Sequence, residues 1–133
     1  MNHVLDASAM LAYLRGENGA STMDALLRSS TEICYAHAIN LCEVYYDFLR
    51  VSNPHIARQA IHDLLADGVI ERKDLSRSFW QRVGQHKSRG RISLADCFCL
   101  SLAQELNADL FTSDHREFDP LVPLNLCPIV FIR

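Results

Sequence analysis

The sequence lacks any long apolar run, and that absence excludes a membrane-spanning protein. No segment approaches the roughly 20 apolar residues that a helix needs to cross a bilayer. The amino terminus also lacks a basic stretch followed by an apolar one, so we predict no signal peptide and expect a cytoplasmic protein. At 133 residues the chain is long enough to bury a core, and we expect one domain over residues 1–133.

Paired metal-binding motifs are also missing. The five cysteines form no C-x-x-C pair, which argues against a zinc ribbon or a thioredoxin-like site. We interpret them as buried free thiols, because cysteine packs as a small hydrophobic residue: Cys34, Cys42, Cys97, Cys99 and Cys127. The six histidines form no H-E-x-x-H motif, which argues against a zinc hydrolase.

The chain has no excess of basic residues, since its formal net charge is −3. Proteins that bind nucleic acids usually present a basic surface. If several acids are metal ligands, two bound divalent cations would turn −3 into +1. The best local candidate for contacts with phosphate groups is the basic stretch of Lys87, Arg89 and Arg91. The alternative interpretation of this stretch is a solvated loop.

Short apolar segments alternate with helical patterns along the whole chain. We predict strands at 3–5, 33–36, 69–70, 110–112 and 129–132, and helices that include 21–28, 39–51 and 93–107. Another helix should begin at Pro54, with Asn53 as its N-cap, and end before Gly68. Such alternation favours a parallel sheet with helices on both faces. In these sheets ligands bind outside the carboxyl ends of the strands.

Side-chain spacing predicts which helix faces are apolar. Over 39–51 the spacing places one apolar stripe on a single face, made of Ile39, Cys42, Tyr46 and Leu49. A second amphipathic helix is predicted from Leu75, Phe79, Trp80 and Val83. We expect Phe79 and Trp80 to serve the core, or else to contribute to an apolar surface for self-association.

Two acids follow predicted strands directly. Asp6 comes after the strand at 3–5, and Asp114 comes one serine after the strand at 110–112. Both should therefore lie at the carboxyl edge of the sheet. Alternatively, Asp6 could cap the next helix and Asp114 could form a turn. Asp119, which precedes a proline, is better explained by a turn.

Two further acids lie on predicted helices. Asp96 is the only charged residue from Ile92 to Ala103, on a helix apolar enough to be buried. A buried carboxylate needs a cation, several donors or a proton, although Asp96 could instead form a capping box with Ser93. Glu43 lies on a polar stripe that also contains Asp47. This stripe could alternatively be a solvated helix face. Glu43 is the stronger candidate of the two, because it is nearer the strand ends.

Four carboxylates that converge without compensating arginines would repel one another. Hard divalent cations relieve this repulsion, and Mg²⁺ or Mn²⁺ prefers oxygen ligands. Such ions lower the pKa of bound water and stabilise charge on a phosphodiester. The acids therefore predict a metal-dependent phosphodiesterase.

Four ordered motifs resemble the PIN domain, and within it the VapC-type toxin ribonucleases. They are Val4-Leu5-Asp6-Ala7-Ser8, Leu41-Cys42-Glu43-Val44, Ser93-Leu94-Ala95-Asp96-Cys97, and Thr112-Ser113-Asp114 followed by Phe118. The resemblance spans essentially the whole chain and implies a three-layer α/β/α sandwich around a parallel five-stranded sheet.

The same resemblance implies a function. Asp6, Glu43, Asp96 and Asp114 would be the catalytic acids and the ligands of Mg²⁺ or Mn²⁺, supported by Ser8, Thr112 and Ser113. The substrate would be RNA. If metal-activated water attacks the phosphorus, cleavage should leave a 5′-phosphate and a 3′-hydroxyl. The partners would be a cognate antitoxin and a second copy of the chain, so that the protein would be the toxin of a type II toxin–antitoxin system.

Other interpretations remain open at this stage. The chain could be a housekeeping RNA-processing nuclease without an antitoxin, or a PIN-like binding module without catalysis. A phosphoryl-transfer domain with Asp6 as nucleophile lacks its D-x-D signature, because Ser8 stands where the second aspartate belongs. A metal-free mechanism driven by His37 and His115 would need the two histidines to act as an acid–base pair.

Overall fold

A parallel sheet of five strands forms the centre of the computed structural model, which describes residues 1–133. Every neighbouring pair of strands is parallel, and the order across the sheet is β3-β2-β1-β4-β5. The strands are β1 Asn2–Leu5, β2 Ile33–His37, β3 Ile70–Arg72, β4 Asp109–Thr112 and β5 Ile129–Phe131. The predicted five-stranded parallel sheet is therefore confirmed.

Seven α-helices cover both faces of the sheet. They are α1 Ala7–Arg15, α2 Ala20–Arg28, α3 Ala38–Val51, α4 Pro54–Ala66, α5 Arg77–Arg89, α6 Leu94–Glu105 and α7 His115–Phe118, with a 3-10 helix at Asp119–Leu124. Alternate strand residues enter two separate cores: Leu5 and Phe111 pack with α1 to α4, whereas Val4 and Leu110 pack with α5 and α6. This confirms the predicted three-layer α/β/α sandwich. None of the helices combines the length and apolar character that a membrane span requires.

Local capping residues explain several helix ends. The side chain of Asn53 accepts a hydrogen bond from the amide of Ile56 at 2.9 Å, as expected of an N-cap. Beyond the other end of α4, Gly68 adopts a φ of 111°, which a residue with a side chain rarely tolerates. The prediction for this helix was therefore correct at both ends.

The predicted apolar stripe of α3 was wrong. Its buried residues are Asn40, Leu41 and Val44, while Ile39, Cys42 and Tyr46 are exposed. The helix instead packs Leu41 and Val44 into the core, and on the same side the amide group of Asn40 donates to the backbone carbonyl of Ala95 on α6.

Three smaller predictions also need correction. On α5, Phe79 is buried but Trp80 is 46% exposed, so Trp80 does not serve the core. Leu75 lies before α5 begins and is also exposed. Of the five cysteines, Cys42 is exposed and Cys127 is half-buried, so only three of the thiols are buried as predicted.

The order of the strands fixes where a ligand would bind. From β1 the chain moves outward on one side to β2 and β3, and then crosses to β4 on the other side. The direction of winding therefore changes between β1 and β4. In open α/β sheets this switch point leaves a crevice at the carboxyl ends of the two strands.

Candidate active site

Asp6 lies at this switch point, directly after β1, and is 2% exposed. One carboxylate oxygen accepts hydrogen bonds from the amide of Ala9 and the hydroxyl of Ser8, both at 2.8 Å. The other accepts from the hydroxyl of Thr112 at 2.5 Å. Asp6 is thus the N-cap of α1, which confirms the helix-cap interpretation of this residue. The same hydrogen bonds hold its carboxylate at the crevice.

The segment after β4 is tied to the same point. The amide of Ser113 donates to the hydroxyl of Ser8 at 2.9 Å, and the amide of Asp114 donates to the hydroxyl of Thr112 at 2.9 Å. Asp114 in turn caps α7 by accepting from the amide of Glu117 at 3.0 Å. Two hydroxyls therefore hold the ends of β1 and β4 together.

Asp96 reaches the crevice from the first turn of α6, whose next seven residues are all buried. Ser93 caps this helix and accepts from the amide of Asp96 at 3.1 Å. The reciprocal bond of a capping box is missing, because the amide of Ser93 donates to Glu117 at 3.3 Å. The half-buried carboxylate of Asp96 has only the hydroxyl of Ser93 as a hydrogen-bonding neighbour, which lowers its pKa less than burial raises it, so the cap alone does not account for this acid.

Glu43 is held by the fully buried Asn40, one turn earlier on α3. The amide group of Asn40 donates to the carboxylate of Glu43 and to the carbonyl of Ala95, both at 3.1 Å. Ala95 directly precedes Asp96. Asn40 therefore connects the two helices that carry Glu43 and Asp96.

The four predicted acids line one open cleft of about 230 Å³. They are Asp6, Glu43, Asp96 and Asp114. Asp47, which we considered a weaker candidate than Glu43, also lines the cleft. Its charge is neutralised by ion pairs with Arg15 and Arg50.

Glu117 is a fifth acid near the cleft, and sequence reasoning missed it. Its charge contributes to raising the pKa values of both Glu43 and Asp96. The available signal was its position three residues after Asp114, in the first turn of the helix that Asp114 caps.

Burial, together with the charges of neighbouring acids, changes the protonation of the site. Burial raises the pKa of Asp6 to about 6, although the hydrogen bonds from Thr112, Ala9 and Ser8 act in the opposite direction. Burial and the nearby charge of Asp6 raise the pKa of Asp96 to about 8. Burial also raises the pKa of Glu43. The metal-free site therefore retains protons that ordinary carboxylates release well below neutral pH.

The donor set suits a hard divalent cation, because it consists of carboxylate oxygens. As the side chains are placed, no group of three His, Cys, Asp or Glu residues is close enough to enclose an ion. Mg²⁺ does not require such an enclosure, because it keeps several waters and is usually bound through one or two carboxylates. The open cleft has room for those waters, since a water in the liquid occupies about 30 Å³.

The two histidines of the metal-free mechanism, His37 and His115, have separate hydrogen-bond partners and do not contact each other. His37 is buried, and its ring nitrogens contact the carbonyl of Asp74 and the amide of Ile39. The ring of His115 contacts Asp119 and the backbone carbonyl of Arg133. The structure therefore offers no acid–base pair of histidines.

The three residues of the predicted basic stretch separate in the structure. Lys87 and Arg89 belong to α5 and are not in a loop. The ammonium group of Lys87 donates to the carbonyl of Ile92 at 2.8 Å. Arg89 and Arg91 instead line a groove beside the acidic cleft.

Fold and site together define an α/β domain with a cluster of carboxylates at the switch point of its sheet. The family model of the PIN domain matches residues 3–121, and the chain belongs to this family. No curated protein is significantly similar to the chain in sequence.

Several solved structures share the fold. VapBC2 from Rickettsia felis, bound to a promoter DNA fragment, has a TM-score of 0.74 and 15% identity, with 98% of both chains covered. VapBC-1 from nontypeable Haemophilus influenzae has a TM-score of 0.71 and 19% identity, covering 99% of this chain and 98% of that one. VapC20 from Mycobacterium tuberculosis, a toxin that cleaves the sarcin–ricin loop, has a TM-score of 0.71 and 14% identity over 89% of this chain and 94% of that one. The TM-scores establish a common fold, and sequence identities this low establish nothing beyond it.

Proposed function

We propose that this chain is a divalent-metal-dependent endoribonuclease, with Asp6, Glu43, Asp96 and Asp114 as its catalytic acids and metal ligands. The observation that supports it is the opening of all four carboxylates onto one cleft at the switch point of the sheet. A surplus of unpaired carboxylates destabilises a protein, and a cation-dependent activity gives a reason for keeping them.

The roles of the residues follow from their contacts. Asp6, Glu43, Asp96 and Asp114 would hold Mg²⁺ or Mn²⁺. A bound cation would lower the pKa of its water and stabilise negative charge on the phosphodiester. Ser8 and Thr112 fix the orientation of the Asp6 carboxylate through hydrogen bonds. Asn40 restrains Glu43, and Asp96 would give up the proton that its raised pKa retains.

The reaction is hydrolysis at phosphorus. Water attacks the phosphodiester and the bond to the 3′-oxygen breaks, so that one product ends in a 3′-hydroxyl and the other begins with a 5′-phosphate. The 2′-hydroxyl of the ribose takes no part in this reaction.

A cleavage assay tests the activity. A short single-stranded RNA should be cut by the wild-type protein in Mg²⁺ or Mn²⁺, and Asp96→Asn should abolish cutting. Asp63→Asn is the matched control, because Asp63 is an exposed aspartate on α4 away from the cleft. Equal activity of Asp96→Asn and the wild type would contradict the proposal, and a wild type without activity would favour the binding module.

We further propose that the chain is the toxin of a toxin–antitoxin pair and acts as a homodimer in the cytoplasm. The proposal is supported by the shared fold with VapBC structures, among them a cleaving toxin. Induced expression should arrest bacterial growth, and a small antitoxin gene, which this proposal predicts immediately beside the present one, should relieve the arrest when it is co-expressed. Growth that continues despite active enzyme would favour the housekeeping nuclease.

A further inference from the structure

A second groove runs beside the acidic cleft, with a volume of about 630 Å³. Three exposed arginines line it, Arg89, Arg91 and Arg116. Asp114 lines both the groove and the cleft, so the two cavities meet at this residue. A chain molecule with one unit in the cleft could therefore continue into the groove.

None of the three guanidinium groups forms an ion pair or a hydrogen bond within the protein. Two acids, Asp114 and Glu117, line the same groove, but neither forms an ion pair with these arginines, and three arginines against two acids leave the lining a formal charge of +1. Six other arginines do form ion pairs: Arg15, Arg28, Arg50, Arg72, Arg82 and Arg133. The positive charge of the groove is therefore available to an anionic ligand, and guanidinium groups match phosphate oxygens in pairs.

One wall of the groove is apolar. It includes Ile92 together with Leu121 and Leu124 of the 3-10 helix, and Leu124 is 60% exposed. A smaller apolar cavity of about 80 Å³ adjoins the groove and shares these three residues. Cationic side chains beside an apolar surface suit a single strand of nucleic acid, whose phosphates and unstacked bases need different contacts.

We propose that this arginine groove binds the single-stranded segment of RNA that leads away from the cleaved phosphodiester. The phosphates of that segment contact Arg89, Arg91 and Arg116, and its bases contact the leucine wall. The inference rests on the proposed ribonuclease function, because it takes the acidic cleft as the position of the cleaved bond. RNA is favoured over an acidic protein because the groove continues from that cleft.

Binding of a fluorescein-labelled single-stranded RNA, measured by anisotropy over a range of salt concentrations, tests the inference. All variants carry Asp96→Asn and are measured without divalent cations, so that binding is separated from cleavage. The groove variant is Arg89→Ala with Arg116→Ala. The matched control is Arg58→Ala with Arg77→Ala, because these exposed arginines also lack ion pairs and lie outside the groove.

Each lost phosphate contact should reduce the slope of log affinity against log salt by about 0.7 for single strands. The groove variant should therefore lose about 1.4 from this slope, whereas the control keeps the parent slope. Equal slopes in all proteins, or equal losses in both double variants, would overturn the inference. A duplex of the same sequence should bind more weakly, and equal affinity for duplex would overturn the role of the leucine wall.

The result is separable from the test of the ribonuclease. If the wild type cuts RNA but the groove variant keeps the parent slope, only the groove inference fails. If the groove variant loses slope but the wild type never cuts RNA with Mg²⁺ or Mn²⁺, the proposed activity fails and the groove remains an RNA-binding site.

Discussion

The carboxylate of Asp96 should make the metal-free protein less stable as the pH rises. Its pKa is raised from 3.8 to about 8 in the folded protein, so the folded chain holds a proton that the unfolded chain releases. When the folded state binds more protons, the free energy of unfolding falls with increasing pH. The loss should begin near pH 4 and be complete above the folded pKa. Asp96→Asn removes the titration and should therefore stabilise the metal-free protein in this range.

The shift of Asp96 fixes the size of the effect. It amounts to about four pH units, and each unit corresponds to about 1.4 kcal/mol of stability. Because Asp96 is only partly buried, water screens part of this energy, and half of the full conversion gives roughly 3 kcal/mol. Asp96→Asn should therefore exceed the wild type by roughly 3 kcal/mol at pH 8 and match it near pH 4.

Urea unfolding in the presence of a chelator, repeated at several pH values, measures the difference. Asp47→Asn is an informative control from the rim of the same cleft. Burial alone would raise the pKa of Asp47, but Arg15 and Arg50 outweigh it and lower the pKa, so this substitution should destabilise the protein at neutral pH. The reasoning is refuted if Asp96→Asn is no more stable than the wild type at pH 8, or if its advantage is the same at pH 4.

Three further predictions follow from the site and the surface. Mg²⁺ or Mn²⁺ should raise the melting temperature of the wild type and raise that of Asp96→Asn less, and equal shifts would remove Asp96 from the site. Asn40→Leu should cost about 0.5–1.5 kcal/mol in urea unfolding, because the hydrogen bond that joins α3 to the carbonyl of Ala95 on α6 is lost; an unchanged midpoint would contradict this. The mass in solution should be that of a dimer, and a monomeric mass at high concentration would refute self-association. Trp80→Gln tests whether the exposed indole lies in the dimer interface, in which case the substitution weakens dimerisation.

Much of the site could be predicted because a simple rule places residues at the ends of parallel strands. Asp6 and Asp114 each follow an apolar strand, and the rule locates both at the same edge of the sheet. Asp96 was conspicuous as the only charged residue from Ile92 to Ala103, on a helix apolar enough to be buried. The roles of these acids in metal binding and catalysis stay predictions.

What the sequence could not predict depends on tertiary contacts. Helical spacing marks an apolar stripe on α3, but the helix turns a different face inward, with Leu41 and Val44 in the core and Asn40 bonded to α6. Glu117 lies on a helix of only four residues, too short for periodicity to show its direction. Trp80 was assigned to the core on its apolar character, whereas the fold leaves it on the outer side of α5 beside the buried Phe79.

The most direct test of the central claim is the chemistry of the cleaved ends. A short RNA is incubated with the protein in Mn²⁺ or Mg²⁺, with and without a chelator, and the termini of the products are identified. The acidic cleft predicts 5′-phosphate and 3′-hydroxyl ends, loss of cutting with chelator, and continued cutting when the 2′-hydroxyl at the cleaved bond is replaced by hydrogen. Chelator-resistant cutting that leaves a 2′,3′-cyclic phosphate would contradict the account and return Asp6, Glu43, Asp96 and Asp114 to structural roles.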